Sequence, residues 1–540
     1  MKIKKFAIFT LGLALLGAVE SCKNPLTDFN LQISTQVIKN YATLKVVNAS
    51  GNTIPGVQVA LVSGDTEDLY NLNGVKDFKM VENLVTFGVD PKRTPTANTP
   101  IRFRVRFSAP GYTTQTVPVT ISDVSSGIET VILTQPVVIP EGAEQVEETV
   151  DLSNTGATTT ATAIEVPSAV PGEELVINIP AGTQFKDEAG NIITGGSVLI
   201  SVTTINPENE SAVNLLPGGE LSADAVVLAD GSSVSGTFSP AAVTDIKMYV
   251  NGKVVESFSQ PITVSMPVPA DYVSPITGQA MAAGQQFDLF SNSDNDNIWK
   301  FEQKVTVTGS AAAGFFVNFP ITHLTFYMAA EFGEACTGVQ VVKFSGDWMS
   351  NGSTYPVIVE AHWGDQVIFS TEYSISQNAA SISFDNVPKT GVKVVVKKAD
   401  GSFLAEGDLT ACGQETAIQL PNPGDVTGTT STLQLYVRCP DKTTPITLLP
   451  TFQMYYRVVG TTEYKYLGTV DNGFLRTTLL KTDGTKYDFK AIWNDKVKVV
   501  NGHAVQEDNT ATVGIGANDI IGTKAGATNL AILTEECGKL

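Results

Sequence analysis

The sequence predicts an all-β chain folded as a string of β-sandwich domains. Three observations carry this expectation. Apolar residues alternate with polar ones over short runs, as in Ile101-Arg102-Phe103-Arg104-Val105-Arg106-Phe107 and Leu433-Gln434-Leu435-Tyr436-Val437. The runs are punctuated by 46 glycines and 27 prolines, residues that build turns between strands and break helices. Beyond the N-terminus no long stretch keeps the 3.6-residue period of an amphipathic helix.

The first 22 residues follow a different rule. Lys2, Lys4 and Lys5 precede an apolar run from Phe6 to Val19, long enough for a signal-peptide core and short for a bilayer-spanning helix. The run ends in Val19-Glu20-Ser21-Cys22. This stretch resembles a bacterial lipoprotein signal, with Glu20 departing from the small or apolar residue usual there. The resemblance implies that residues 1–21 are a signal peptide and that cleavage leaves Cys22 carrying acyl chains such as palmitate. Residues 22–35 would then be a lipidated tether. It further implies the outer membrane of a Gram-negative cell envelope, with the periplasmic or surface-facing side left open. Ordinary secretion, with Cys22 free or discarded, is the alternative.

Charge and cysteine content narrow the partners. The chain carries 55 acidic and 35 basic residues, a formal charge of −20. So acidic a surface does not suit nucleic acid or an anionic bilayer, which leaves the lipid on Cys22 as the membrane contact. Of five cysteines, Cys22 is the odd one. Cys336, Cys412, Cys439 and Cys537 form an even set, expected as two disulfides in an exported protein. Sequential pairing, Cys336–Cys412 and Cys439–Cys537, is the expectation among three connectivities. No CxxC spacing occurs, so neither zinc nor another cofactor is expected.

Residues 36–135 read as the first domain. Gly51-Asn52-Thr53-Ile54-Pro55-Gly56-Val57-Gln58-Val59, Ala109-Pro110-Gly111-Tyr112 and Val117-Pro118-Val119-Thr120-Ile121 resemble the carboxypeptidase-regulatory-like module, a small transthyretin-like or immunoglobulin-like sandwich. The resemblance implies a spacer or docking module. Within it, Arg102, Arg104 and Arg106 fall on one strand face. That row is a candidate for anion recognition, for instance of a phosphorylated glycolipid, because guanidinium geometry suits phosphate. The other reading is a solvated face whose arginines pair with nearby acids.

Pro136 to Gly142 marks a boundary, and residues 143–331 form the largest module. Its Ile179-Pro180-Ala181-Gly182-Thr183, Gln260–Pro267 and Thr322–Tyr327 segments resemble the β-sandwich pair of ankyrins and netrin receptors. His323-Leu324-Thr325 resembles the self-cleavage site found in part of that family. The chemistry implied is attack of the Thr325 hydroxyl on the Leu324 carbonyl with His323 as base; a packed strand histidine is the alternative. Asp294 and Asp296 are a candidate calcium pair in a loop rich in turn formers, which reads equally as an ordinary hairpin loop.

Residues 332–414 make a cysteine-bracketed sandwich, 421–431 a linker of Pro, Gly and Thr, and 432–540 a second cysteine-bracketed sandwich. In the last, Phe452, Met454 and Tyr456 share one strand face, with Tyr455 opposite and Tyr464 and Tyr466 following. Such aromatics either fill a core or stack on sugar rings. His323, His362 and His503 lie in three different modules, His362 read as a strand residue and His503 as a turn residue. No GxSxG, HExxH or phosphate-binding glycine loop is present. The sequence therefore points to a non-enzymatic binding or scaffold protein of the envelope, its partner a glycan, a protein or an outer-membrane complex. A self-cleaving surface protein cut at Leu324-Thr325 is one alternative. A hydrolase is the other, because paired carboxylates meet in space and leave no linear spacing.

Overall fold

A computed structural model describes residues 31–34, 38–135, 139–167, 174–292, 298–424, 430–439, 446–493, 496–509 and 511–514. It is an all-β, multi-domain β-sandwich protein: strands hold 57% of the residues and helix 2%, which rules out a helix-layered architecture. Residues 1–22, Asp294, Asp296 and Cys537 lie outside the described residues.

The chain divides into two compact units, one of which is Ile38–Gly424. Within this unit, residues 38–135 form a small sandwich. The alternation read from the sequence is realised in Ile101–Ser108, where Ile101, Phe103, Val105 and Phe107 are buried and the arginines face outward. This strand lies between Gln58–Gly64 and Gln115–Ile121. Its apolar face packs on Leu44, Val85 and Phe87 of the facing sheet. Phe87 contacts Phe78 at 4.9 Å and Phe103 at 5.4 Å between ring centres. Phe87 and Phe103 are buried, Phe78 partly so, and each fully buried ring contributes about 2–3 kcal/mol of transfer free energy.

The middle segment buries one apolar cluster between two faces of a continuous 13-stranded sheet. Trp299–Ser310 links the faces: it pairs with Gln286–Asn292 on one and Gly314–His323 on the other. Four prolines stand inside long strands of this sheet: Pro240 in Ser233–Val250, Pro261 and Pro267 in Ser257–Val268, and Pro320 in Gly314–His323. Proline donates no ladder hydrogen bond; Pro240 and Pro261 lie at register shifts, where the ladder is already interrupted, while Pro267 and Pro320 stand opposite Phe316 and Thr263.

The first and third segments share a sheet. Ile128–Leu133 pairs in parallel with Tyr41–Asn48 on one side. On the other it meets Gln366–Ile375, with Glu129 opposite Thr371 and Ile128 opposite Glu372. The eight-stranded sheet so formed runs from Phe403–Asp408 to Leu69–Tyr70. Gly127 makes this junction possible. Its φ is 87°, and a Cβ there would lie 2.4 Å from the Thr371 hydroxyl and 2.8 Å from the Glu372 carbonyl. Cys336 and Cys412 are disulfide-bonded with Cα atoms 5.6 Å apart, closing the third segment as the sequence predicts.

The second unit contains Leu31–Ser34 and the strands beyond Asp425. Leu31–Ser34, inside the stretch expected as a tether, pairs in parallel with Ile446–Leu449, Leu31 opposite Ile446 and Ser34 opposite Leu449. Ile446–Leu449 pairs with Ser431–Cys439, which also meets Phe474–Thr477 and Ala511–Gly514. A four-stranded sheet is built from Lys465–Val470, Phe452–Val458, Lys486–Trp493 and Lys496–Ala504. Phe452 and Met454 enter its apolar core with Tyr487 and Phe489, and Tyr456 packs against them.

Candidate functional site

Two arginines of the row, Arg102 and Arg104, build a polar cluster within the larger unit. Strand alternation sends Arg102, Arg104 and Arg106 to the face opposite the core. There the first two meet carboxylates from other segments. Arg102 donates from Nε and Nη2 to the two oxygens of Asp385, each at 2.8 Å, and from Nη2 to the Thr337 carbonyl at 3.0 Å. Arg104 makes the same forked contact with Asp224, its Nε donating at 2.8 Å. Bidentate pairing of this kind is charge-assisted and directional. The hydrogen bonds that Arg102 donates to Asp385 raise its pKa above the ordinary value, against the lowering effect of burial. Thr120 also donates to Asp385. Arg106 is exposed and has no ion pair among the described residues.

Further polar contacts follow the same seam. Gln115 Nε2 donates to the Asn214 carbonyl at 2.7 Å, tying the first segment to the middle one. The Thr237 hydroxyl donates to the Asn386 carbonyl at 2.6 Å, tying the middle segment to the third. Ser383 Oγ donates to the Val124 carbonyl at 2.9 Å, tying the third to the first. Lys45 and Glu372 pair at 2.6 Å beside it.

A small cleft between these segments is lined by Thr120, Glu129, Glu220, Asp385 and Asn386 among others. Glu129 is pushed up to about 7 by burial, with Asp385 adding to the rise and a hydrogen bond with Ser126 opposing it. Glu220 is pushed up to about 8, first by burial and then by Glu129, with Ser222 opposing. Asn386 adopts a φ of 57°, and its buried Oδ1 has no hydrogen-bond partner among the described residues. An anion reaching Arg102 or Arg104 would have to displace Asp385 or Asp224. Chemically, the arrangement clasps three segments and raises the proton affinity of two carboxyl groups.

His323, Leu324 and Thr325 sit where Gly314–His323 ends and Phe326–Glu334 begins. Thr325 is buried, and its hydroxyl donates to the Asn292 carbonyl. His323 Nε2 lies 3.6 Å from Glu302 Oε1, which accepts from the Ser291 hydroxyl at 2.6 Å. The His323 carbonyl accepts from Tyr327 at 2.7 Å, and the Leu324 N–H donates to the Glu256 carbonyl at 3.2 Å. The Thr325 hydroxyl is thus engaged across the sheet.

In the second unit, the rings of Tyr455 and Tyr466 meet at a tilt of 50°, 5.3 Å between centres. The Arg457 guanidinium lies over Tyr464 at 4.5 Å, and Lys490 approaches the same ring at 4.8 Å. His362 lies in Tyr355–Trp363 as expected and contacts Glu360 at 2.7 Å, which also accepts from Lys397 at 2.8 Å. His503, expected in a turn, instead pairs with Tyr487 inside the strand Lys496–Ala504. The reason is Gly502: its φ of 67° accommodates a bulge in the ladder, where the sequence suggested a reversal.

No protein-family model matches this chain, and no curated protein matches it. Among solved structures, it is similar to the Bacillus anthracis TIE protein at 9% identity and a TM-score of 0.12. That match covers 70% of this chain and 59% of that one, so the chain spans about three-fifths of the protein it resembles. The ICAM-5 D1–D4 ectodomain fragment matches at 8% identity and a TM-score of 0.07, over 86% of this chain and 98% of that one. At these scores neither likeness bears on what the chain does.

Proposed function

We propose that this is a lipid-anchored protein of the bacterial envelope that works as a non-enzymatic binding or scaffold protein. The observation that carries the reading is the N-terminal sequence: a basic start, an apolar run and Cys22 at its end. The Cys336–Cys412 bond supports it, because such bonds persist in oxidising compartments outside the cytosol. The clasp of Arg102 and Arg104 supports the scaffold part, since it spends the strongest polar groups of the larger unit on holding segments together. Placement is at the outer membrane, and the partner class is a glycan, a protein or an envelope complex.

Mass spectrometry of the mature N-terminal peptide tests the anchor. An acyl adduct on Cys22, with detergent-phase partitioning that Cys22→Ser abolishes, is the expected result. An unmodified N-terminus on a protein that salt alone washes from membranes overturns it. A denaturing gel of the same material addresses self-cleavage: one intact band excludes a cut at Leu324-Thr325.

A further inference from the structure

Chain order alone would tie the acylated N-terminus to the domain that begins at Ile38. The strand Leu31–Ser34 points to a different layout. It forms an edge of the sheet that contains Ile446–Leu449 and Ser431–Cys439, in a parallel register four residues long. The N-terminal end of the chain therefore belongs to the same compact unit as its C-terminal strands. Ile38–Gly424 is, in chain order, an insertion between two strands of that unit. From Cys22 to Leu31 the chain advances nine residues, which reach about 30 Å at full extension.

The geometry points to the C-terminal unit as the part that Leu31–Ser34 ties to the acylated N-terminus, independently of Ile38–Gly424. This inference rests on acylation of Cys22. Its consequence is specific: the C-terminal unit stays with the membrane when the large insertion is cut away.

The experiment uses the full-length, natively acylated protein in membranes, with one protease site replacing residues 35–37 and another replacing 425–429. Cutting both frees 38–424. The expected result is that 430–540 sediments with the membranes and 38–424 appears in the supernatant. Loss of both fragments to the supernatant overturns the inference, subject to one covalent check. Gln32→Cys with Thr447→Cys places two thiols at directly opposed positions, within the Cα spacing a disulfide spans. If the strand merely washes off after cutting, the oxidised variant still carries 430–540 on the acylated peptide and releases it on reduction. If no bond forms between residues 32 and 447, the placement is wrong. Should the uncut protein already be soluble, the anchor has failed, yet the same bond still reports where the strand sits.

Discussion

Arg102 and Arg104 share one seam with Glu129 and Glu220, and the two pairs of charges meet opposite fates. Each guanidinium is matched by a carboxylate from another segment, Asp385 or Asp224, and stays ionised. The groups that set the titration of the two glutamates include serines and further acids but no cation, so they answer desolvation by holding protons. A seam built from three segments therefore tolerates buried charge in two ways. Where a rigid partner is available it pairs the charge, and elsewhere it neutralises it. The first solution gives geometry, while the second makes the seam sensitive to pH.

The largest blow to this balance is covalent. Cys336→Ser with Cys412→Ser opens a loop closed across 76 residues and is expected to cost about 4 kcal/mol in the chain-entropy model. Urea unfolding would measure it; a loss under about 1 kcal/mol would mean that the polar seam alone constrains the third segment. Asp385→Ala comes next, because it strips Arg102 of its fork and Thr120 of its acceptor. A fully buried pair would lose 3–5 kcal/mol, but the Arg102 side chain is 37% exposed, so water softens the loss to about 2 kcal/mol. Asp385→Asn should recover only part of that. If both variants unfold like the parent, the paired half of the comparison carries no stability.

The sequence made one side of this seam readable and hid the other. Alternation from Ile101 to Ser108 placed the three arginines on one face because a strand repeats every two residues. It could not show that Asp385, 283 positions away from Arg102, would meet them. Glu129 is a single acid in an apolar strand, and nothing local distinguishes it from a solvated one; only the approach of Gln366–Ile375 buries it. Cys336–Cys412 was legible because few cysteines leave few pairings. Leu31–Ser34 was not: four residues without turn signals look like a tether until their partner, over 400 positions later, is known.

The neutralised half is broken by pH. Glu129 and Glu220 hold protons more tightly folded, at about 7 and about 8, than unfolded, near 4.5. Between roughly pH 4.5 and 8 the folded state thus binds more protons, so stability falls as pH rises through that window and levels off above it. The opposite contribution comes from Asp230, Asp400 and Asp483, whose pKa values are lowered first by hydrogen bonds from Ser232, Ser402 and Thr485. Their effect is confined to pH below about 4. Melting temperatures from pH 5 to pH 9 should therefore decline. Glu129→Gln with Glu220→Gln should flatten the decline and raise the melting temperature at pH 9 relative to the parent. An unchanged slope in the double variant would assign the decline to the overall negative charge of the chain and not to the seam.

Arg106 gives the smallest effect and the sharpest control. It shares a strand with Arg102 and Arg104 yet is exposed, with no ion pair among the described residues. Arg106→Ala should change stability by less than about 0.5 kcal/mol. It is also the guanidinium of the row that an incoming phosphate reaches without displacing a carboxylate. If vesicles bearing a phosphorylated glycolipid bind the protein through this row, Arg106→Ala should weaken binding while leaving the unfolding midpoint in place. Stability and recognition would then separate along a single strand, with two arginines facing inward to neighbouring segments and one facing a ligand. Binding that is lost on Arg102→Ala alone, together with the fold, would return the whole row to structure.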